Sequence, residues 1–180
     1  MFYKNIHTII FDFDGVFTDN KVQVDQNGIE SVICNRGDGL GLNILNSFKK
    51  ENNWKLDLFI LSSEVNPVVS VRAKKLKIKV NTGVKNKLNY ISSYLEKRFD
   101  KKKNMFKGVI YIGNDLNDLS IMLKAGISYA PFDAHQRIKK IATKVFRTKG
   151  GDGFVRDVIE HILEIKKLKT KNLEKLLKSS

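Results

Sequence analysis

Cysteine is all but missing. A single residue, Cys34, in 180 permits no internal disulfide, which excludes a disulfide-stapled secreted scaffold and fits a reducing compartment. As a small apolar strand residue it needs no further role. Only two prolines occur, and with 42% hydrophobic residues the composition excludes a disordered chain. No apolar run reaches membrane-spanning length, and Met1-Phe2-Tyr3-Lys4 leads straight into strand-like residues rather than a signal peptide. A cytoplasmic protein without membrane attachment is expected. His7, His135 and His161 match no metal spacing, so each is expected to be structural.

Acidic residues are also scarce, 19 against 33 basic ones, for a net charge of +14. The lysines are dispersed and lack interleaved aromatics, the pattern of solvated faces rather than of a nucleic-acid surface. Such a field steers anions toward a site. The length suits one domain, residues 1–180, with a lysine-rich helical tail over about 166–180.

What is present gathers around Ile9-Ile10-Phe11-Asp12-Phe13-Asp14-Gly15-Val16-Phe17-Thr18-Asp19. A buried strand carries two carboxylates to its C-terminal end, and residues i and i+2 of an extended chain share a face. Two such acids repel unless a cation or a proton lies between them. Mg²⁺ meets that demand with oxygen ligands and leaves positions for water and phosphate. Phosphoryl transfer follows, with Asp12 attacking phosphorus and Asp14 as acid and then base. Solvated acids at a strand end are the alternative.

Downstream, short extended runs flank Asp25-Gln26-Asn27-Gly28, a hairpin signal. Arg36-Gly37-Asp38-Gly39 opens a helix, with Arg36 and Asp38 either a turn ion pair or substrate contacts. A second strand, Leu56–Leu61, ends in Ser62-Ser63-Glu64, where the hydroxyl is either a helix cap before Asn66-Pro67 or a phosphoryl donor. Ile78–Val80 is a third strand. Lys87 opens the next helix against the helix-dipole preference for anions, so it is either solvated or there to hold phosphate and Asp12 together. Lys101-Lys102-Lys103-Asn104 reads as a solvated basic loop. Gly108–Gly113 is a fourth strand, closed by Asn114-Asp115-Leu116-Asn117-Asp118, either metal donors or an Asx turn with a helix cap. A fifth strand at Ile127–Pro131, a helix at 134–142 and a short strand at Val145-Phe146 follow. Gly150-Gly151-Asp152-Gly153 reads as a mobile loop able to approach a ligand. The last helix continues past Ile165, and Leu173, Leu176 and Leu177 either fray or pack on a neighbour. Alternating strands and helices make an α/β, Rossmann-like, doubly wound parallel sheet, with ligands outside the strand C-terminal ends.

Asp12/Asp14, Ser62, Lys87 and Gly113–Asp118, in that order, resemble the four motifs of the haloacid dehalogenase (HAD) phosphohydrolases. Asp-Gly-Val-Phe-Thr-Asp, Arg36–Gly39 and Gly150–Arg156 are similar to the capless branch acting on 3-deoxy-2-ulosonic acid phosphates. The resemblance implies a HAD fold with a projecting hairpin and no cap, and a Mg²⁺-dependent homotetramer acting on an anionic sugar-acid phosphate. In it, the glycine-rich tail of one subunit helps close the site of the next. It implies Asp12 as nucleophile, Asp14 as acid/base, Ser62 as phosphate donor and Lys87 as charge clamp. Asp12, Asp14, Asn114 and Asp115 are the implied metal residues, and Thr18, Arg36, Asp38, Ser63, Glu64, Arg72, Lys75 and Arg156 the implied substrate contacts. Glu64, Arg72 and Lys75 resemble the nine-carbon acid phosphatases and the phosphatase-like domains fused to acylneuraminate cytidylyltransferases. A nonulosonic acid 9-phosphate is therefore expected ahead of Kdo 8-phosphate. An oligomerisation or regulatory module for such a cytidylyltransferase is the second reading. Many relatives carry Asp where Asn114 stands, so this metal site holds one negative charge fewer.

Overall fold

The computed structural model describes residues 2–99 and 104–178. Lys101–Lys103 therefore lie outside the described residues. Strands β1 (Thr8–Phe11), β4 (Asp57–Leu61), β5 (Lys79–Asn81), β6 (Val109–Ile112), β7 (Ile127–Ala130) and β8 (Lys144–Val145) form one sheet, ordered β5-β4-β1-β6-β7-β8. Every pairing in it is parallel. The chain steps outward from β1 to β4 and β5, then returns to β6 on the other side of β1. That reversal opens a crevice beyond the carboxyl ends of β1 and β6.

Parallel strands buried on both faces send alternate residues to opposite layers. Ile9 and Phe11 pack with α1 (Arg36–Glu51), α2 (Pro67–Leu76) and α6 (Phe154–Ile162), whereas Ile10 packs with α3 (Lys87–Phe99), α4 (Leu119–Lys124) and α5 (Gln136–Ile141). Local signals set the helix starts. Asn35 caps α1 by accepting from Gly37 N at 2.7 Å, and Asn66 caps α2 ahead of Pro67. The histidines serve the frame: the His135 ring caps α5, and His7 lies 3.0 Å from the Met105 carbonyl.

The hairpin, β2 (Gln23–Val24) and β3 (Glu30–Ser31), forms as expected, with Gly28 at φ +76° and the Asp25 carboxylate accepting from Asn27 N and Ile29 N. Its Val22, Val24 and Ile29, with Ile33 just after it, are exposed.

Two expectations need correction. The last helix does not run on: α6 stops at Ile162, Glu164 adopts φ +51°, and α7 (Thr170–Lys178) turns back on α1. Leu176 is 3% exposed and Lys175 pairs with Glu51 at 3.4 Å, so the lysine-rich end packs on its own chain. The glycine-rich loop, for its part, is packed rather than free. Gly151 N donates to the Val16 carbonyl at 3.1 Å and Gly150 N to Asp133 at 2.9 Å, while a side chain at Gly150 would overlap the Gly15 carbonyl oxygen. These glycines admit backbone against backbone.

Candidate active site

Asp12 extends the β1–β6 ladder by one residue, its N–H donating to the Ile112 carbonyl at 2.8 Å. The chain then turns sharply, with the N–H groups of Val16 and Phe17 both returning to the Phe13 carbonyl. Gly15 takes φ +74°, and the Asn114 side chain fills the space where its Cβ would stand, so any other residue would strain the backbone and displace Asn114. Asp12 and Asp14 line one cleft of about 390 Å³ with Asn20, Ser62, Ser63, Glu64, Asn114 and Asp115. A larger hollow of about 510 Å³ along β5 is lined by Lys49, Lys77, Lys79, Tyr90 and Tyr94, and its one acid, Asp57, is paired with Arg98. It holds no comparable set of reactive groups.

Asp12 is 4% exposed, and its Oδ1 accepts from Phe13 N and from Lys87 Nζ, both at 2.8 Å. Lys87, 2% exposed, lies equally close, 2.8 Å, to Asp118 Oδ1. Asp118 is fully buried; its Oδ1 also accepts from the Tyr111 hydroxyl at 2.6 Å, and its Oδ2 from the N–H groups of Asn114 and Asp115. The sequence reading placed Asp118 only among the possible metal donors of the Asn114–Asp118 turn, whereas here it accepts from Lys87. Its signal was the Asp115–Asp118 spacing of a capping box, which the structure forms. Asn20, at φ +64° in the cleft wall, had no sequence signal.

Burial pushes the Asp12 carboxyl up to about 8, the Asp118 carboxylate adds to that push, and Lys87 opposes it. Burial works against the Lys87 charge, but Asp12 and Asp118 outweigh it and hold the ammonium above its usual range. Burial, then Glu64, raise Asp14. With all ionised, the carboxylates of Asp12, Asp14 and Asp118 face one Lys87 ammonium, three negative charges against one positive, a net −2. The amide oxygen of Asn114 is buried without a hydrogen-bond partner. An unpaired oxygen beside surplus negative charge fits a divalent cation. Among the described residues no three His, Cys, Asp or Glu side chains are arranged to hold a metal, so the fitting donor set mixes carboxylate with amide.

Ser62, 1% exposed, accepts from Glu64 N at 3.0 Å, leaving its hydroxyl proton to donate. Ser63 meets the Asn117 amide at 3.3 Å. Glu64 Oε1 is taken by the N–H groups of Val65 and Asn66, and Asn66 ties this loop to Glu30 of the hairpin at 2.6 Å. Asp115 Oδ1 is occupied as a cap on Leu116 N at 2.7 Å.

The remaining expected contacts lie off the cleft. Thr18 is fully buried, its hydroxyl oxygen accepting from Gly15 N and Asn20 N, so it shapes the loop. Arg36 and Asp38 form no ion pair; Asp38 is buried and accepts from Arg156 N at 3.0 Å, and burial pushes its carboxyl up to about 6. Arg36 and Lys75 are exposed. Arg72 donates to the Asn35 carbonyl at 3.0 Å, and the Arg156 side chain pairs with Glu160 at 2.7 Å.

A family model, the haloacid dehalogenase-like hydrolases, matches residues 41–158. The chain belongs to this family. It is 33% identical over 161 residues, 89% of this chain and 80% of the relative, to the 3-deoxy-D-manno-octulosonate 8-phosphate phosphatase KdsC of Escherichia coli K12. The Moraxella catarrhalis enzyme of that name, solved with magnesium, phosphate and KDO, superposes with a TM-score of 0.78 at 28% identity, covering 90% of this chain and 88% of that one. The cobalt-bound form of the Haemophilus influenzae phosphatase gives a TM-score of 0.75 at 28% identity, covering 91% of each. This HAD hydrolase is thus a phosphoric monoester hydrolase similar to KdsC, with the α/β fold of its relatives. No helix among the described residues is long and apolar enough to cross a membrane.

Proposed function

We propose that this HAD hydrolase is a Mg²⁺-dependent phosphatase of a 3-deoxy-2-ulosonic acid phosphate, with Asp12 as nucleophile. The observation that carries the reading is the state of Asp12. One oxygen is pinned by Lys87 and Phe13 N–H, in a cleft that also holds Asp14, Ser62 and the unpartnered Asn114 oxygen. Asp12 attacks phosphorus, the bond from phosphorus to the sugar oxygen breaks, and Asp14 gives its proton to that oxygen. Asp14, now a carboxylate, takes a proton from the water that hydrolyses the aspartyl phosphate. Lys87 and the Ser62 hydroxyl hold phosphoryl oxygens as charge shifts onto them. Asp12, Asn114 and the Asp14 segment would hold the cation, which when bound supplies charge neutralisation for an anionic substrate.

The relatives named above act on an eight-carbon acid phosphate. Glu64 supports a nine-carbon acid 9-phosphate for this chain, because a carboxylate at the cleft rim favours a different set of hydroxyl or amide groups. The exposed Val22, Val24, Ile29 and Ile33 of the hairpin support a homotetramer associating through that flap. Phosphate release with Mg²⁺ from sialic acid 9-phosphate, KDN 9-phosphate, Kdo 8-phosphate and an aryl phosphate tests the reading. A preference for a nine-carbon acid is expected. Preference for Kdo 8-phosphate would refute the role of Glu64 and keep the chemistry; near-normal turnover by Asp12→Asn would refute the chemistry.

A further inference from the structure

The Tyr111 hydroxyl is a buried polar group to which the scheme above assigns no part. Resting on that scheme, we propose that Tyr111 is a positioning residue: it holds the Asp118 carboxylate so that the Lys87 ammonium stays shared with Asp12.

Tyr111 is fully buried on β6, in the layer packed by α3, α4 and α5. Phenylalanine would fill that space equally well, so core packing does not account for the hydroxyl. Its burial costs free energy unless it is bonded, and its bond is to Asp118 Oδ1 at 2.6 Å. The same oxygen receives Lys87 at 2.8 Å. Asp118 is reached by four donors, the hydroxyl, the ammonium and two backbone N–H groups, and by no solvent. The backbone is shaped for this, since a side chain at Gly113, two residues after Tyr111 on the same face, would overlap Asp118.

Lys87 stands 2.8 Å from each of two carboxylates, so small changes in either acid's charge decide which one it serves. The tyrosine proton takes up part of the acceptor strength of Asp118 Oδ1. Without it the ammonium becomes that oxygen's only partner and moves toward Asp118, away from Asp12 and from the phosphoryl oxygens it must meet. Chemistry should suffer more than substrate binding, because Ser62 and the cation also hold the phosphoryl group.

The test is steady-state hydrolysis of an aryl phosphate with Mg²⁺ by Tyr111→Phe, with Asp12→Asn in parallel. Tyr111→Phe should lower kcat about tenfold or more with KM within about twofold. Protein carrying 3-fluorotyrosine at position 111, which keeps the hydroxyl, should retain kcat within about threefold. A kcat for Tyr111→Phe within about twofold of wild type, a loss confined to KM, or a fluorotyrosine protein as slow as Tyr111→Phe would overturn the proposal. Should Tyr111→Phe not fold, mono-, di- and trifluorotyrosine at that position carry the test, and a kcat indifferent to donor strength overturns it. An inactive Asp12→Asn beside a normal Tyr111→Phe sinks the Tyr111 role alone. A turning-over Asp12→Asn sinks the nucleophile assignment, and this inference with it.

Discussion

Replacing Asp12, the proposed nucleophile, with Asn should make the metal-free protein more stable while stopping its turnover. Asp12 is 4% exposed, and burial with the neighbouring Asp118 raises its carboxyl from 3.8 to about 8. A carboxyl raised on folding contributes stability that is fully present below its unfolded value and is lost as pH rises toward the folded one. Each pH unit in that window costs about 1.4 kcal/mol, so ionisable Asp12 costs up to about 4 kcal/mol at pH 7. Asn at position 12 removes this cost but exchanges the carboxyl's hydrogen bonds with Lys87 and Phe13 N–H for weaker ones to an amide oxygen, a loss of about 1.5–3 kcal/mol. A net gain of about 2 kcal/mol remains, or roughly 4–8 °C in Tm for a chain of this size. Thermal unfolding followed by circular dichroism in chelator at pH 7 and pH 5 measures it, and the advantage should shrink toward pH 5, which lies only about one unit above the unfolded value. Adding divalent cation should reverse the order, since wild type gains about 2.7 kcal/mol at a hundredfold excess over Kd. Asp12→Asn melting at or below wild type at pH 7, or keeping its full advantage at pH 5, would show that burial does not govern this carboxyl.

Asn114→Asp places a carboxylate where a buried amide oxygen lacks a partner; calorimetric titration should show Mg²⁺ binding about tenfold tighter or more, and unchanged affinity would remove residue 114 from the cation site. Gly150→Ala forces the loop off the Gly15 carbonyl; a cost of about 1–3 kcal/mol is expected with a fall in kcat, and wild-type kinetics would mean that the loop does not brace the Asp14 turn. Leu176→Ala, in a helix packed on α1, should cost about 2–4 kcal/mol in urea denaturation and leave turnover at 25 °C unchanged. No measurable cost would show that α7 contributes nothing to the fold.

Much of the fold is legible without coordinates because its signals are local. Runs such as Ile9-Ile10-Phe11 and Val109-Ile110-Tyr111-Ile112 are buried strands on hydrophobicity alone, and Asn35 and Asn66-Pro67 mark helix starts by cap chemistry that acts within a few residues. Asp12, Asp14, Ser62 and Asn114 were also legible, since each stands just past a strand's carboxyl end, and a parallel sheet brings those ends to one edge. Lys87 announced itself by sitting at the wrong pole of a helix dipole. What stayed hidden depends on contacts between residues far apart in the chain. Asp118 read as a metal donor or a turn residue; only packing shows it taking Lys87, 31 positions earlier, and the Tyr111 hydroxyl into one dry cluster. The late glycines read as freedom but serve a close approach to Gly15, more than a hundred residues away. The terminal leucines read as a loose end because their partner, α1, is distant in sequence. Composition, periodicity and caps determined the sheet and which side chains stand at its edge. Which acid each cation serves, which glycine clears which carbonyl and where the tail returns are pairings across the fold, and those only the tertiary structure decided.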